Sequence, residues 1–484
     1  MRAPPESNNP AVEAIPVLPV ALGFAALISI KLGFLAAYGP TFLPDSGGYV
    51  DIGNFILAGR LNDPALAGGI FPPTLFRIIG YPAIIALMKA VSGEFWPWLV
   101  VALQFAFSFA ATAATYRLAR AFGLGFWLSF ASATLQATSL PLVLDQAIIT
   151  DSLYASLITL AICTLAIAIV RGRLRLAAGI GVGLLLAAAF LLREATIFML
   201  LGFVPLAGAA AFRNGLPASR KIVALIGILL PLILIHQLYL EWNRSRIGAR
   251  IATSAAQTAL VLALVDAARH EPRIFSGDTA LDQVARQVVR NHDFFEVREI
   301  NKRLFEERGR SAAQMAGDAH DAYFRAWREY PRAMLSLPLS HMNERIVYLM
   351  ARPVTSLRDL IVWNTGGDNG FAREQALRDG RWWMLPFIIV YRFGQAASIV
   401  LFAAFLALTP WRFLAAGWRS PPAVAAAGIW FAYLTFFGIY AMVHLEPRYI
   451  MGVVSPAIVV AVANLFWLFE WLRARIPAAR KLKA

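Results

Sequence analysis

The chain has 484 residues, of which 59% are hydrophobic and only 15% are charged. Because several apolar runs reach the ~20 residues that cross a bilayer, this composition excludes a soluble domain and indicates an integral membrane protein. The net charge of +15 does not indicate nucleic-acid binding, because the basic residues lie largely in short loops between the apolar runs. Such loops are typical of the cytoplasmic face, where they meet anionic lipid.

We predict an all-α protein with about ten transmembrane helices. The predicted spans cover residues 14–38, 96–116, 124–143, 151–170, 174–192, 195–212, 222–240, 383–409, 422–443 and 449–472. The first run is too long for a signal peptide and has no clear cleavage site, so we interpret it as a retained helix. A shorter stretch at 78–91 is predicted to lie at the membrane interface.

The distribution of basic residues predicts the orientation. With the N terminus in the cytoplasm, the inner loops and tail carry Arg117, Arg120, Arg171, Arg173, Arg175, Arg213, Arg220, Lys221, Arg412, Arg419, Arg473, Arg475, Arg480, Lys481 and Lys483. The short outer connections hold only Arg193 and Arg448. Counting 78–91 as a span would invert this bias. The pattern therefore predicts a multi-pass protein of the cell (inner) membrane with both termini inside.

Two long loops, 39–95 and 241–382, fall outside the membrane in this topology. The chain then divides into an N-terminal transmembrane module (1–240), an extracytoplasmic helical domain formed by the second loop, and C-terminal transmembrane helices with a basic tail (383–484).

Helical spacing of apolar residues predicts the structure of the second loop. One helix is expected behind a cap at Asp278 and Thr279, and another over 312–329. This domain either binds the acceptor or only braces the fold.

Acidic residues follow the first helix directly. Asp45 stands in the segment Pro44-Asp45-Ser46-Gly47-Gly48-Tyr49, and Asp51 follows closely. Glycines permit tight turns that present a carboxylate to a substrate. We expect the low dielectric near the membrane to raise the pKa of Asp45 and make it a better base. The competing interpretation is an aspartate that caps an interfacial helix.

Further charged residues lie where other spans end on the same side. Asp145 and Asp151 join two spans, and Asp151 is also a natural N-cap for the helix that begins there. Arg193 and Glu194 interrupt an apolar stretch, where they form either a phosphate-binding site or a simple turn. Lys31, within the first helix, is expected to snorkel or to pair with a carboxylate.

The last outer connection is His444-Leu445-Glu446-Pro447-Arg448-Tyr449. A solvent-exposed turn usually contains glycine, asparagine or serine, so we favour a functional interpretation of this segment. The histidines lack zinc-binding spacing, and the chain has no phosphate-binding loop and no dinucleotide motif, so neither ATP nor a nicotinamide cofactor is implied. With a single cysteine, Cys163, no disulfide can form within one chain.

Taken together, these segments resemble the GT-C glycosyltransferases that use polyprenyl-phosphate sugars, including protein O-mannosyltransferases and the aminoarabinose transferase of lipid A. The motifs are Pro44-Asp45-Ser46-Gly47-Gly48-Tyr49, Phe76-Arg77-Ile78-Ile79-Gly80-Tyr81-Pro82, Thr150-Asp151-Ser152-Leu153, Leu192-Arg193-Glu194 and Glu446-Pro447-Arg448-Tyr449. Their order and common side match over most of the chain. Ser46 stands where the family often has a second acidic residue, and Ile79 where it usually has proline.

The resemblance implies that Asp45 acts as a general base on an acceptor hydroxyl, which displaces the phosphate of a polyprenyl-phosphate sugar with inversion. It also implies that Asp151 positions the acceptor or a divalent cation, so a metal requirement is left open. Arg193 and Arg448 would neutralise the leaving phosphate. The supporting residues would be Asp51, Arg77, Tyr81, Glu194, His444, Glu446 and Tyr449.

The implied enzyme is a hexosyl- or pentosyltransferase whose active site lies on the periplasmic or extracytoplasmic face. Its partners would be the lipid-linked donor, a lipid, glycan or protein acceptor, and the bilayer. Three other functions compete with it: a lipid or solute transporter or flippase, an O-antigen ligase- or polymerase-like enzyme, and a membrane scaffold. Transporters usually place ionisable groups near the membrane midplane, whereas the candidates here gather at one set of helix ends.

Overall fold

The computed structural model describes residues 17–67, 72, 74–213, 217–345, 350, 385–446 and 448–481. Within these ranges the regular secondary structure is helical, and one isolated parallel β-bridge joins Thr41 to Ala147. The predicted all-α fold class is confirmed for this part of the chain.

The N-terminal half of the described chain forms ten α-helices. They are α1 (Val17–Tyr38), α2 (Ser46–Leu57), α3 (Gly80–Ser92), α4 (Trp96–Ala121), α5 (Phe126–Ala137), α6 (Leu140–Leu144), α7 (Asp151–Arg171), α8 (Leu176–Leu192), α9 (Leu200–Phe212) and α10 (Ala218–Ile247). Short 3-10 turns cover Pro64–Ala67, Gly93–Phe95 and Glu194–Ile197.

The remaining described helices follow in two groups. The first group is α11 (Ala255–Ala267), α12 (Ala280–Val288), α13 (Phe294–Glu306), α14 (Ala312–Glu329) and α15 (Pro331–Arg345). The second is α16 (Leu385–Ala403), a π-helical turn (Ala404–Leu408), α17 (Thr409–Ala416), α18 (Pro421–Ala441) and α19 (Met451–Lys481). The beginning of the predicted span 383–409 lies outside the described residues.

In the described residues, seven helical segments are long and apolar enough to cross a membrane. They are Leu18–Ala36, Gly80–Ala121, Asp151–Arg171, Ala218–Ile247, Ala396–Arg419, Pro421–Ala441 and Met451–Arg473. The predicted count of ten is not confirmed, because α8 and α9 have only 17 and 13 residues. The predicted span 124–143 also divides into α5 and α6. Pro141, in the first turn of α6, has no amide hydrogen to continue the helix.

Helix α7 forms the centre of the transmembrane core. It is apolar around its whole circumference and packs against α4, α8, α9, α18 and α19. A helix that is apolar on every side is buried either by other helices or by lipid, and here the neighbouring helices bury most of the residues of α7. Thr159 on α7 donates a hydrogen bond to the carbonyl oxygen of Gly452 at the start of α19, at 3.0 Å. The N terminus of α7, which carries Asp151, is therefore held among several helix ends.

Helices α11 to α15 form a second apolar core, which we call the helical unit. The predicted helix over 312–329 is confirmed by α14, and the predicted cap is confirmed by Thr279, which forms a capping box with Asp282 at the start of α12. Tyr323 and His341 contact the carbonyl oxygens of Met442 and Ala441 at 3.0 and 2.8 Å. The unit thus lies against the end of α18. The predicted domain boundaries stay a prediction.

Candidate active site

Asp45 lies just before α2, at the N-cap position, but its carboxylate does not cap that helix. Instead Oδ1 accepts a hydrogen bond from Nη2 of Arg77 at 2.8 Å, and Oδ2 accepts one from Nη1 of Arg448 at 3.2 Å. The competing interpretation of Asp45 as a helix cap is therefore wrong. Its side chain is 36% exposed, so a ligand can reach a carboxylate that two guanidinium groups hold in place.

The pKa of Asp45 does not follow the sequence-based expectation. Burial raises the pKa of this carboxyl, but the charges of Arg77 and Arg448 outweigh burial and leave it below its ordinary value. The expectation of a raised pKa is wrong because it omitted these two cations. Asp45 is therefore ionised at neutral pH and is a weak base while both arginines hold it.

Arg77 links the first loop to the N-terminal end of α7 through Tyr49. Its Nη1 donates to the hydroxyl of Tyr49 at 2.9 Å, and its guanidinium carbon lies 4.4 Å from the centre of that ring. The Tyr49 hydroxyl is also 3.3 Å from Oγ1 of Thr150, the residue before α7. Tyr81 packs edge-on against Tyr49 with ring centres 5.3 Å apart, so it supports the site from behind.

Asp151 is the first residue of α7, and the N-cap position is taken by Thr150. The prediction that Asp151 is the N-cap is wrong, because its side chain turns to arginines instead. Its Oδ1 accepts a hydrogen bond from Nη2 of Arg193 at 2.7 Å, and its Oδ2 lies 3.9 Å from Nη1 of Arg448. The side chain is only 2% exposed. The positive end of the α7 dipole also favours a carboxylate here.

Arg193 follows α8 and is held by an aromatic face as well as by a carboxylate. Its guanidinium carbon lies 4.3 Å from the ring centre of Tyr449, which gives a cation–π contact in addition to the ion pair with Asp151. Glu194 points to a different partner and accepts a hydrogen bond from Thr253 at 3.0 Å. Arg193 and Glu194 thus form more than a simple turn, since their side chains join α7 to the segment before α11.

Arg448 contacts three carboxylates. Besides Asp45 and Asp151, it donates from Nε to Glu446, whose other oxygen lies 3.1 Å from Nε2 of His444. Burial raises the pKa of Glu446, but the hydrogen bond from His444 and the charge of Arg448 hold that pKa well below its usual range. Glu446 therefore stays charged and fixes the position of the Arg448 guanidinium.

The structure brings most of the candidate residues together. We call the charged set the ionic cluster, and it consists of Asp45, Arg77, Asp151, Arg193, Glu446 and Arg448. Asp51 is not part of it: this residue is exposed on α2, and its electrostatic partner is Lys89 of α3. Lys31 is paired with the carboxylate of Asp145, as one of the two sequence-based alternatives predicted.

Two residues of the site were missed by sequence reasoning. Tyr49 lies in the first of the motifs, and the sequence alone does not indicate its role, although it contacts both Arg77 and Thr150. Gln104 accepts a hydrogen bond from the Tyr81 hydroxyl at 2.8 Å and is fully buried. The signal for Gln104 was available, because it is the one amide side chain in the predicted span 96–116.

A divalent cation does not fit the cluster as it stands. Among the described residues, no group of three or more His, Cys, Asp or Glu side chains is arranged to hold a metal ion. Asp45, Asp151 and Glu446 instead face guanidinium groups, which a cation would have to displace. The arrangement suits an anion better, since a phosphate can replace a carboxylate as the partner of an arginine.

The described fold and the ionic cluster define a multi-pass, all-α membrane protein with a charged site at one set of helix ends. No family model and no curated protein matches the chain. Among solved structures it is similar to ArnT from Cupriavidus metallidurans bound to undecaprenyl phosphate, at 14% identity and a TM-score of 0.32, and to the apo state of that protein, at 15% and 0.34. Each alignment covers 93% of this chain and 78% of the ArnT chain.

Proposed function

We propose that this protein is a membrane glycosyltransferase that moves a hexose or pentose from a polyprenyl-phosphate donor to an acceptor hydroxyl. The observation that carries the proposal is the sharing of Arg448 among Asp45, Asp151 and Glu446 at the helix ends. One cation then lies next to two candidate acids, where it could exchange a carboxylate for the phosphate of the donor. The lipid chain of the donor would stay in the bilayer.

The arginines supply the leaving-group chemistry in this proposal. Arg448 and Arg193 neutralise the phosphate as its bond to the anomeric carbon breaks, and Arg77 supports them from the first loop. Guanidinium groups suit this task because they stay charged and bind phosphate oxygens in pairs. Fixed charges aimed at a developing anion contribute strongly to catalysis in a partly buried site. His444, Glu446 and Tyr449 orient Arg448 and Arg193.

Asp45 removes the proton from the attacking hydroxyl in a single inverting displacement. With Arg448 in contact, the pKa of Asp45 is too low for an effective base, because both arginines outweigh the effect of burial. When Arg448 turns to the donor phosphate, Asp45 loses one of its two cations and becomes more basic. Donor binding therefore precedes activation of the base. Asp151 positions the acceptor, since a divalent cation does not fit between this carboxylate and its two arginines.

The site is proposed to face the extracytoplasmic side of the inner membrane, with both termini inside. The opposite helix ends carry the basic loops, and two of these loops meet where Arg213 donates to the carbonyl oxygens of Trp418 and Arg419. Such a basic surface is typical of the cytoplasmic face. Donor and lipid, glycan or protein acceptor would then meet outside.

The test is sugar transfer in membranes that hold equal amounts of wild type, Asp45→Asn or Asp63→Asn. The donors are radiolabelled polyprenyl-phosphate sugars, starting with those built on undecaprenyl phosphate. Asp63 is the matched control, because it lies in the same loop and pairs with Arg60. We expect transfer by wild type and Asp63→Asn and loss of transfer in Asp45→Asn.

Two other results would change the proposal. Equal transfer by all three proteins would remove Asp45 as the base. If wild type transfers no sugar from any donor, while it moves a labelled lipid or solute across vesicle membranes, the transporter alternative replaces the enzyme.

A further inference from the structure

The two loops that end in the candidate acids are joined by their backbones. Thr41 lies before Asp45, and its amide donates to the carbonyl oxygen of Gln146 at 2.8 Å. The amide of Ile148 donates back to the carbonyl oxygen of Thr41, also at 2.8 Å. This short bridge sets the register between the segment that leads to Asp45 and the segment that leads to Asp151.

A buried ion pair lies next to this bridge in the chain, because its acid, Asp145, directly precedes Gln146. Lys31 of α1 and Asp145 are 2% and 1% exposed, and the ammonium group binds the carboxylate of Asp145. The same ammonium donates to Ser108 of α4 at 2.8 Å. The second oxygen of Asp145 accepts a hydrogen bond from Ser152 at 2.6 Å. Because Ser152 follows Asp151, this carboxylate reaches the start of α7 from inside the protein.

Gln104 of α4 completes the support. Its side-chain amide donates to the carbonyl oxygens of Asp145 and Ala147, at 2.8 and 2.9 Å. Its oxygen accepts from Tyr81, which packs against Tyr49 of the first loop. The turn before Asp151 is therefore fixed from α1, from α4 and from the first loop at once.

We propose that Lys31 and Asp145 are positioning residues that hold Asp45 and Asp151 in register for the transfer reaction. Their role in catalysis rests on the proposed function, whereas their effect on the two loops does not. Stability alone does not explain the pair, because apolar residues of similar size often replace a buried ion pair without loss of stability. An apolar pair cannot, however, direct the Ser152 hydroxyl or tie α1 to the turn.

The first test compares single and double variants. Asp145→Leu alone leaves a buried ammonium unpaired and is expected to lower the melting temperature. The double variant Lys31→Met with Asp145→Leu is expected to regain the wild-type melting temperature. We expect its kcat to stay lower by about 10²-fold with little change in KM for the donor, because small misplacements of catalytic groups have effects of this size. A purely structural pair would recover kcat together with stability.

The matched control is Thr112→Val. Thr112 is a fully buried residue of α4 whose hydroxyl lies 2.8 Å from Oε1 of Gln136 and 2.8 Å from the carbonyl oxygen of Ser108, and neither partner belongs to the two acidic loops. The substitution removes one buried hydroxyl from the same helix and leaves the Ser108 side chain in place. We expect its kcat to stay close to wild type. A kcat loss in this variant equal to that of the double variant would overturn the proposal.

The second test needs no transferase activity. Thr41→Cys and Ala147→Cys are introduced into a Cys163→Ala background, which removes the native thiol. Neighbouring strands lie about 4.8 Å apart, within the ~4.4–6.8 Å between Cα atoms that a disulfide spans. The rate of disulfide formation with a membrane-permeant oxidant then reports how well the loops keep their register.

We expect at least a tenfold slower disulfide formation when Lys31→Met and Asp145→Leu are added, and an unchanged rate with Thr112→Val. An unchanged rate in the double variant would overturn the positioning role, whatever the activity. Slower disulfide formation in a protein whose wild type transfers no sugar would support the structural coupling and reject only the proposed function.

Discussion

Nη1 of Arg448 lies 3.2 Å from Oδ2 of Asp45, a residue 403 positions earlier in the chain. This contact joins the segment that precedes α19 to the segment that follows α1. Arg448 also binds Glu446 and lies near Asp151, so a single guanidinium contacts three carboxylates. The proposed leaving-group cation and the proposed base are therefore partners before any substrate binds.

Replacement of Arg448 by lysine should strongly reduce the rate of sugar transfer. Arg448→Lys keeps one positive charge, but an ammonium cannot serve Glu446 through one nitrogen and Asp45 through another. We expect kcat for sugar transfer to fall by about 10²–10³-fold, the loss seen when one donor to a developing anion is removed. The control is Arg250→Lys, at an exposed arginine that follows α10 and pairs with Glu241. Activity of Arg448→Lys within twofold of wild type would contradict the role.

The pH dependence of transfer should report the two cations around Asp45. Burial raises the pKa of this carboxyl, and Arg77 and Arg448 lower it to a net value below normal. The acidic limb of the pH profile of kcat/KM reports the pKa of the base in the free enzyme. The midpoint of this limb should therefore lie below the ordinary aspartate pKa of about 3.9. In Arg77→Gln the carboxylate loses one cation, so the limb should move to higher pH.

The measurement is kcat/KM for a labelled donor at constant ionic strength across the acidic range. Loss of a cation makes the ionised form of Asp45 less stable, so protonation, and with it loss of activity, begins at a higher pH. An acidic limb at the same pH in wild type and in Arg77→Gln would show that Asp45 is not the titrating base.

The sequence contained enough information to locate the site but not to pair its charges. Charged residues are rare in so apolar a chain, so Asp45, Asp151, Arg193 and Arg448 stood out at helix ends of one side. Their partners depend on how distant helices pack, and for this reason the pKa of Asp45 was predicted in the wrong direction. Asp51 lies within α2, whereas Asp45 precedes that helix, and a sequence motif does not show which of the two carboxylates faces the arginines.

The predicted helix boundaries over 124–143 were wrong for a local reason. Apolar composition over 124–143 predicted one span, but the chain breaks before Pro141 and forms α5 and α6. The hydroxyls of Thr138 and Ser139 donate to the carbonyl oxygens of Thr134 and Leu135, at 2.8 and 2.7 Å, next to this break. Hydropathy records none of these backbone effects.

The aromatic support of Arg193 can be tested with two substitutions at one position. Tyr449→Phe keeps the ring that lies 4.3 Å from the guanidinium, whereas Tyr449→Ala removes it. We expect Tyr449→Ala to lose about 0.5–2 kcal/mol of cation–π stabilisation, measured as weaker donor binding, and Tyr449→Phe to stay close to wild type. Equal loss in both variants would assign the effect to the phenol hydroxyl instead of the ring.

Removal of divalent cations distinguishes the two roles that the family resemblance implies for Asp151. This carboxylate is 2% exposed and already accepts a hydrogen bond from Arg193 at 2.7 Å. We therefore expect sugar transfer to continue after treatment with EDTA and after dialysis against metal-free buffer. Transfer that stops and returns on addition of Mg²⁺ or Mn²⁺, but not of Na⁺ at equal ionic strength, would assign the position to a cation.

The helical unit can be weakened without touching the ionic cluster. Thr279 accepts a hydrogen bond from the amide of Asp282, whose carboxylate accepts one from the amide of Thr279 in return. Thr279→Val removes the hydroxyl and should cost about 0.5–2 kcal/mol, whereas Thr279→Ser keeps the cap and should be nearly neutral. Because a chain with two cores need not unfold in one step, the measurement is hydrogen exchange of the α12 amides.

Faster exchange in Thr279→Val with unchanged transfer kinetics would indicate that the unit braces the fold. Faster exchange together with a raised KM for the acceptor would indicate that it binds the acceptor, and equal exchange in both variants would contradict the capping contribution.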